Sequence, residues 1–243
     1  MELTLADPSG KETTIVLASY SKAGGASGAA SRAASRPALT TKPDTSALPT
    51  WAKPQRFPSG QTLLADSKTL YIWYDTCQDQ PNKKVNDFAA EALAAVDAGL
   101  AATPPAIDRV VVDLRRNGGG DNRLLDPLIL GLRDREPLRA KGRLFALIGR
   151  GTYSSAMMNA IDLRKKAGAL LVGEPTGGKP NTYGETQTFP LPNSKVLVQY
   201  STKFFRDIDE DLDAILPDLV AAPSPESYFS GRDVALEAAI AYH

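Results

Sequence analysis

Three short apolar runs, each opening into a loop that carries glycine, constrain this chain more than any other feature. Arg109-Val110-Val111-Val112-Asp113-Leu114, Leu144-Phe145-Ala146-Leu147-Ile148 and Ala169-Leu170-Leu171-Val172 are almost continuously apolar. A strand with water on one face alternates apolar and polar residues, so unbroken runs of this length are expected of strands buried on both faces. Between and around them lie helix-forming stretches. Residues 87–101 are rich in Ala and Leu, with Asn86 or Asp87 as a cap, and 124–132 and 154–167 follow. Strands alternating with helices predict an α/β domain with substantial parallel pairing. Residues 69–74 (Thr-Leu-Tyr-Ile-Trp-Tyr) add a strand by aromatic and β-branched content. Residues 189–205 read as a hairpin around Pro192-Asn193-Ser194, and 230–242 as a closing helix.

The first fifty residues differ. Residues 1–20 read as a hairpin, because Leu3 and Leu5 alternate with polar residues, Asp7-Pro8-Ser9-Gly10 is a turn signal and 13–17 is β-branched. Two strands alone are marginal, so this piece packs on the main domain or is the remnant of an upstream domain. Residues 21–50, rich in Ala, Gly, Ser and then Pro, read as a flexible linker. A globular unit is expected over 51–243.

Composition narrows the partners. Lys and Arg number 28 and so do Asp and Glu, which leaves no global field for nucleic acid or an anionic membrane. Cys77 is the only cysteine, so an intrachain disulfide and a cysteine-based zinc site are both excluded. The only histidine is His243, the last residue, where a well-held imidazole is not expected. No stretch approaches the roughly 20 apolar residues of a membrane span. Met1-Glu2-Leu3-Thr4-Leu5 lacks the basic start and apolar core of a signal peptide, which fits a cytosolic protein, a mature form or a fragment.

Chemistry is expected in the three loops, since ligand sites of open α/β sheets lie at the carboxyl ends of strands. Asn117-Gly118-Gly119-Gly120 lets the backbone approach a ligand closely and offers N–H groups for an oxyanion hole; it is equally readable as a plain glycine-rich turn. Gly149-Arg150-Gly151-Thr152-Tyr153-Ser154-Ser155-Ala156 puts a serine at a helix start, as an N-cap or as a nucleophile eased by the positive helix end. Gly173-Glu174-Pro175-Thr176-Gly177-Gly178-Lys179-Pro180 carries a lysine that is a solvated surface residue, or a general base if buried beside the serine.

Together the three loops resemble the S41 (tail-specific, or C-terminal-processing) serine peptidase family. The order is alike: a Val-rich strand into Asp113-Leu114-Arg115-x-Asn117-Gly-Gly-Gly, a serine at a helix start, then Val172-Gly173-Glu174-x-Thr176-x-Gly178-Lys179. Leu216-Pro217-Asp218 and Gly231-Arg232-Asp233 before a last helix are similar to that family's ending, so the likeness runs over about 62–240. The resemblance implies a ClpP/crotonase-like α/β spiral of ββα units over 51–243, peptide-bond hydrolysis on peptide or protein substrates, no metal or other cofactor, and a periplasmic or extracellular location. Lys179 follows Ser154 by 25 positions, the spacing of the Ser-Lys dyad in the processing branch. This implies Ser154 as nucleophile, Lys179 as base, and the N–H groups of Gly119 (or Gly118) and Ser155 as the oxyanion hole, with Ser155 a rival nucleophile one position out of register.

The likeness has departures. The processing branch has Ser-Ala-Ser-Glu where this chain has Ser154-Ser155-Ala156-Met157, and a glutamine where Tyr183 stands. Thr152-Tyr153-Ser154-Ser155-Ala156 and Pro180-Asn181-Thr182-Tyr183-Gly184-Glu185 are closer to a second S41 branch, whose members often lack the lysine and take a histidine from their N-terminal part. In that branch the base would lie in a segment missing here, the chain being N-terminally truncated, and Glu185 is a weaker candidate for orienting a base. The alternative expectation is a non-catalytic peptide- or lipid-binding module on the same fold.

Overall fold

The computed structural model describes residues 2–6, 10, 12–16, 48–53, 55 and 57–242. Strands β1 (Glu2–Ala6) and β2 (Glu12–Val16) pair antiparallel, as the turn signal between them requires. Most of the linker expected at 21–50 lies outside the described residues, as does His243.

A six-stranded sheet organises the rest. β3 (Ser59–Leu64) and β4 (Thr69–Tyr74) form an antiparallel pair, and helix α1 (Val85–Ala101) leads to β5 (Arg109–Asp113). Helix α2 (Asp126–Arg133), β6 (Leu144–Ile148), α3 (Ser155–Ala167) and β7 (Leu170–Gly173) follow. β4, β5, β6 and β7 pair in parallel with their chain neighbours, so each crossover steps to the adjacent strand. The two-residue β10 (Leu219–Val220) closes the β7 edge. The fold is mixed α/β with a mostly parallel sheet, the class that the alternating pattern predicts. Two strands of the sheet, β3 and β4, precede α1; α2 and α3 are preceded by one each, and β7 and β10 both come before the C-terminal helices.

Alternation along the buried strands explains why continuous apolar runs were needed. Val110, Val112, Ala146 and Ile148 face the large core formed with α1, α2 and α3, while Val111, Phe145, Leu147 and Val172 face the opposite side. There they meet Ala235, Leu236 and Ala239 of α5 (Val234–Ala241), which follows α4 (Pro225–Phe229). The central strands β4 to β7 are thus covered on both faces.

Several boundaries differ from the sequence-based expectation. α1 starts at Val85, and neither Asn86 nor Asp87 caps it; the Val85 N–H donates to Asp79 Oδ1 at 2.9 Å, a cap reaching in from the preceding turn. The closing helix expected over 230–242 is shorter, because Asp233 accepts from the Leu236 N–H and caps a helix that begins at Val234, while α4 lies before that span. The hairpin expected over 189–205 is longer: β8 (Thr182–Pro190) pairs with β9 (Leu197–Phe205), a separate two-stranded sheet. No helix among the described residues is long and apolar enough to cross a membrane.

Candidate active site

The loops after β5, β6 and β7 leave adjacent parallel strands at their carboxyl ends, which brings the three candidate segments together. A buried ionic frame fixes the first. Tyr71 donates its hydroxyl proton to Asp113 Oδ2 at 2.6 Å, and Arg115 Nη1 and Nη2 reach Asp233 at 2.7 and 3.0 Å while Nε donates to Asp113. Burial opposes the charge on Arg115, yet the two carboxylates outweigh it and hold the guanidinium protonated well above its usual range. Burial, and then the Asp113 charge, push the Tyr71 hydroxyl far above the ordinary phenol range. The frame aims the chain into the glycine loop.

Asn117, fully buried, builds the loop itself. Its Nδ2 donates to Tyr74 O at 2.9 Å, and its Oδ1 accepts from the Gly119 N–H at 2.9 Å. The Cys77 thiol, pushed up to about 11 by burial, lies 3.4 Å from the same oxygen and 3.3 Å from Asn159 Oδ1. Cys77 therefore fills space between two amides and is no nucleophile at neutral pH. Gly119 has φ +107, and a Cβ there would lie 2.8 Å from Ser154 Cβ, so the loop touches the serine only because it lacks side chains.

Ser154 stands at a sharp turn between β6 and α3. Thr152 donates from Oγ1 to Leu114 O at 2.9 Å and accepts from the Gly149 N–H, and the Tyr153 N–H donates to Asn117 O at 3.0 Å. These bonds tie the serine turn to the glycine loop. Ser154 itself has φ 53 and ψ −128 and makes no side-chain cap bond. The N-cap alternative is therefore set aside. A non-glycine residue in this region costs of order 1–3 kcal/mol, and such strain clusters at functional sites. A strained strand-to-helix turn with an exposed serine is also how α/β-hydrolases present a nucleophile.

The other expected residues divide. Ser155 is buried, and its hydroxyl donates to Gly120 O, so it is not free to act as a nucleophile. The N–H groups of Gly118 and Ser155 have no acceptor among the described residues and remain available. Gly119 is a correction: its N–H is taken by Asn117, which leaves Gly118 as the available donor of those two. Lys179 is a second correction. Its Nζ pairs with Asp213 Oδ1 at 2.8 Å, its side chain is 52% exposed, and Asp213 raises its pKa, the opposite of what a neutral base needs. The physical reason is local: Gly177 is pressed against Arg150 O, Gly178 against the Tyr153 ring, and the lysine that follows meets water and a carboxylate.

Ser154 opens on a cavity of about 710 Å³ whose lining includes Tyr153, Met157, Met158, Tyr183, Glu185 and Phe205. Glu185 is strained too, at φ 51, and lies 3.6 Å from Lys203, whose ammonium sits 4.6 Å over the Phe205 ring. Tyr183 packs edge-on against Phe204 at 4.9 Å. The β8–β9 hairpin thus forms one wall. Sequence reasoning put Lys203 and Phe205 in a hairpin but not at the site, because it began that hairpin at 189 and left out their partners Gly184 and Thr182; the alternating Thr182-Tyr183-Gly184 run was the available signal. It also missed Asn117 as the loop's organiser.

Residues 131–221 match the family described as Peptidase family S41. Among solved structures, a candidate peptidase from Parabacteroides merdae is similar at 21% identity and TM-score 0.54, over 75% of this chain and 63% of its own length. Mature CPAF is similar at 12% identity and TM-score 0.54, over 98% of this chain and 65% of CPAF, and its complex with lactacystin gives 11% and 0.54 over 98% and 66%. The chain therefore spans a little under two thirds of these proteins, and at such identities the likeness is one of fold. No curated protein matches the sequence significantly. Over residues 131–221, then, this mixed α/β chain carries a stretch similar to Peptidase family S41.

Proposed function

We propose that this chain is a serine peptidase module with Ser154 as nucleophile. One observation carries the reading: Ser154 is exposed, uncapped and held at φ 53 on the first turn of α3, against a glycine loop with a free N–H. In the proposed reaction Ser154 Oγ bonds to the scissile carbonyl carbon as its proton passes to a base. The N–H groups of Gly118 and Ser155 face the developing oxyanion, where one such donor is worth about 2.7–4 kcal/mol of barrier. The tetrahedral species expels the amine, which takes the proton, and water then releases the acyl group from Ser154. With Lys179 paired to Asp213, we assign the base to a group outside the described residues, and Glu185 to orienting it.

The solvent-facing Lys179 also favours a second reading, a peptide- or lipid-binding module that uses the same cavity without chemistry. Labelling with a fluorophosphonate probe separates the two. Wild type should label, Ser154→Ala should not, Lys179→Ala should label at the wild-type rate, and added imidazole should accelerate the wild type. A folded wild type that stays unlabelled with and without imidazole gives way to the binding module.

A further inference from the structure

We propose that the Ser155 hydroxyl is a positioning group, a latch that holds the glycine loop against the start of α3. This rests on the peptidase reading for its catalytic consequence, but the latch stands on geometry alone. The Gly119–Gly120 segment is gripped from both sides. On one side the Cys77 N–H donates to Gly119 O at 3.0 Å and the Asp121 N–H donates to Cys77 O at 2.8 Å. Gly120, at φ +138, lies so close that a Cβ would meet Cys77 O at 2.2 Å. On the other side the only side chain that bonds the loop's carbonyls, among the described residues, is Ser155, through Gly120 O.

The consequence is a fixed frame for two donors. Gly118 N–H and Ser155 N–H come from different elements, a loop after β5 and the first residue of α3. An oxyanion hole works only if both aim at one point before the charge develops. Asn117 sets the loop's internal shape through the Gly119 N–H but does not bond α3. The Tyr153 N–H to Asn117 O bond ties the loop's beginning to the serine turn, and the Ser155 hydroxyl ties its end. Remove the second tie and Gly120 keeps no bond to the first turn of α3, although Cys77 still holds Gly119 and Asp121 from the other side and Asn159 still holds Asn122 O.

Only 7% of Ser155 is exposed, and Gly120 O is the acceptor of its hydroxyl among the described residues. An alanine at this first helical position keeps the helix, since Ala is the best helix former. The substitution therefore removes the tie and little else. Threonine keeps a hydroxyl and should rescue.

Hydrogen–deuterium exchange by mass spectrometry reads the latch without any need for activity. In Ser155→Ala, amides of 117–121 should exchange about tenfold faster than in wild type, amides of α1 should not change, and Ser155→Thr should return towards wild type. Equal exchange in wild type and Ser155→Ala would overturn the latch. Fluorophosphonate kinetics read the consequence. The limiting labelling rate of Ser155→Ala should fall roughly tenfold with the half-saturating probe concentration unchanged, and Ser155→Thr should recover it. Faster exchange with an unchanged labelling rate would overturn the positioning role. If wild type fails to label at all, the peptidase reading falls and the catalytic consequence with it, while exchange still decides the latch.

Discussion

Asp75 sits just past β4, beside the glycine loop, and its carboxyl is pushed up to about 6. Burial is the main cause; Arg116, 3.7 Å away, pulls the other way, and Asp113 adds a like charge. A carboxyl whose folded pKa exceeds its unfolded value, near ~3.9, binds its proton more tightly in the folded chain. Its stabilising protonation is present at low pH and is lost as pH rises through the window between those two values. Asp75→Asn removes the titration while keeping the shape. The melting temperature of the variant minus that of wild type should therefore become more positive from about pH 4 to about pH 7. A difference that is flat with pH, measured by scanning fluorimetry, would mean that Asp75 titrates normally. Arg116 also donates to Trp51 O and Lys53 O, both at 3.3 Å, so the variant leaves that guanidinium with partners.

At the scale of elements, the site is the meeting of a glycine loop with the first turn of α3, and Gly119 is where they touch. Adding a methyl there demands φ +107 of an L-residue and places carbon 2.8 Å from Ser154 Cβ and 3.1 Å from Ser155 N. Gly119→Ala should cost about 1–3 kcal/mol in denaturant unfolding and abolish labelling of Ser154. Full labelling by a stable variant would show that the loop has room to move away. This meeting was only half legible in the sequence. Val110-Val111-Val112 and Leu144-Phe145-Ala146-Leu147-Ile148 announced strands wet on neither face, and their order placed the loops at one edge. Ser154 could be singled out as a candidate because its spacing and its helix start are both local facts. Lys179 was not, since its register suited a dyad while its environment depends on where Gly177 and Gly178 are squeezed and on Asp213, 34 residues further on. Asn117 was read as the border of a glycine run; that its side chain accepts the Gly119 N–H is a tertiary fact with no periodicity to betray it.

For the whole molecule, α5 is the piece that makes the sheet a two-faced layer. Its Ala235, Leu236 and Ala239 cover Val111, Phe145, Leu147 and Val172, all of which are buried. Arg109 of β5 donates to the Ala239 and Ile240 carbonyls, and Asp233 at the start of α5 closes the ion pair with Arg115. Ending the chain after Arg232 would strip an apolar face and leave Arg115 with one carboxylate instead of two. Exposing a large apolar side chain costs about 1.5–3 kcal/mol, and breaking a buried pair about 3–5. Four uncovered strand residues and one broken pair together come to roughly 9–17 kcal/mol, as much as the roughly 5–15 kcal/mol that holds an ordinary domain. The truncated chain should therefore lose its cooperative thermal transition and bind an apolar dye at room temperature, even though Ser154, the glycine loop and the hairpin wall remain in its sequence. A truncated chain that melts cooperatively and labels like wild type would show that the α1–α3 face alone sustains the fold, and that α5 is an ornament of the site's far side.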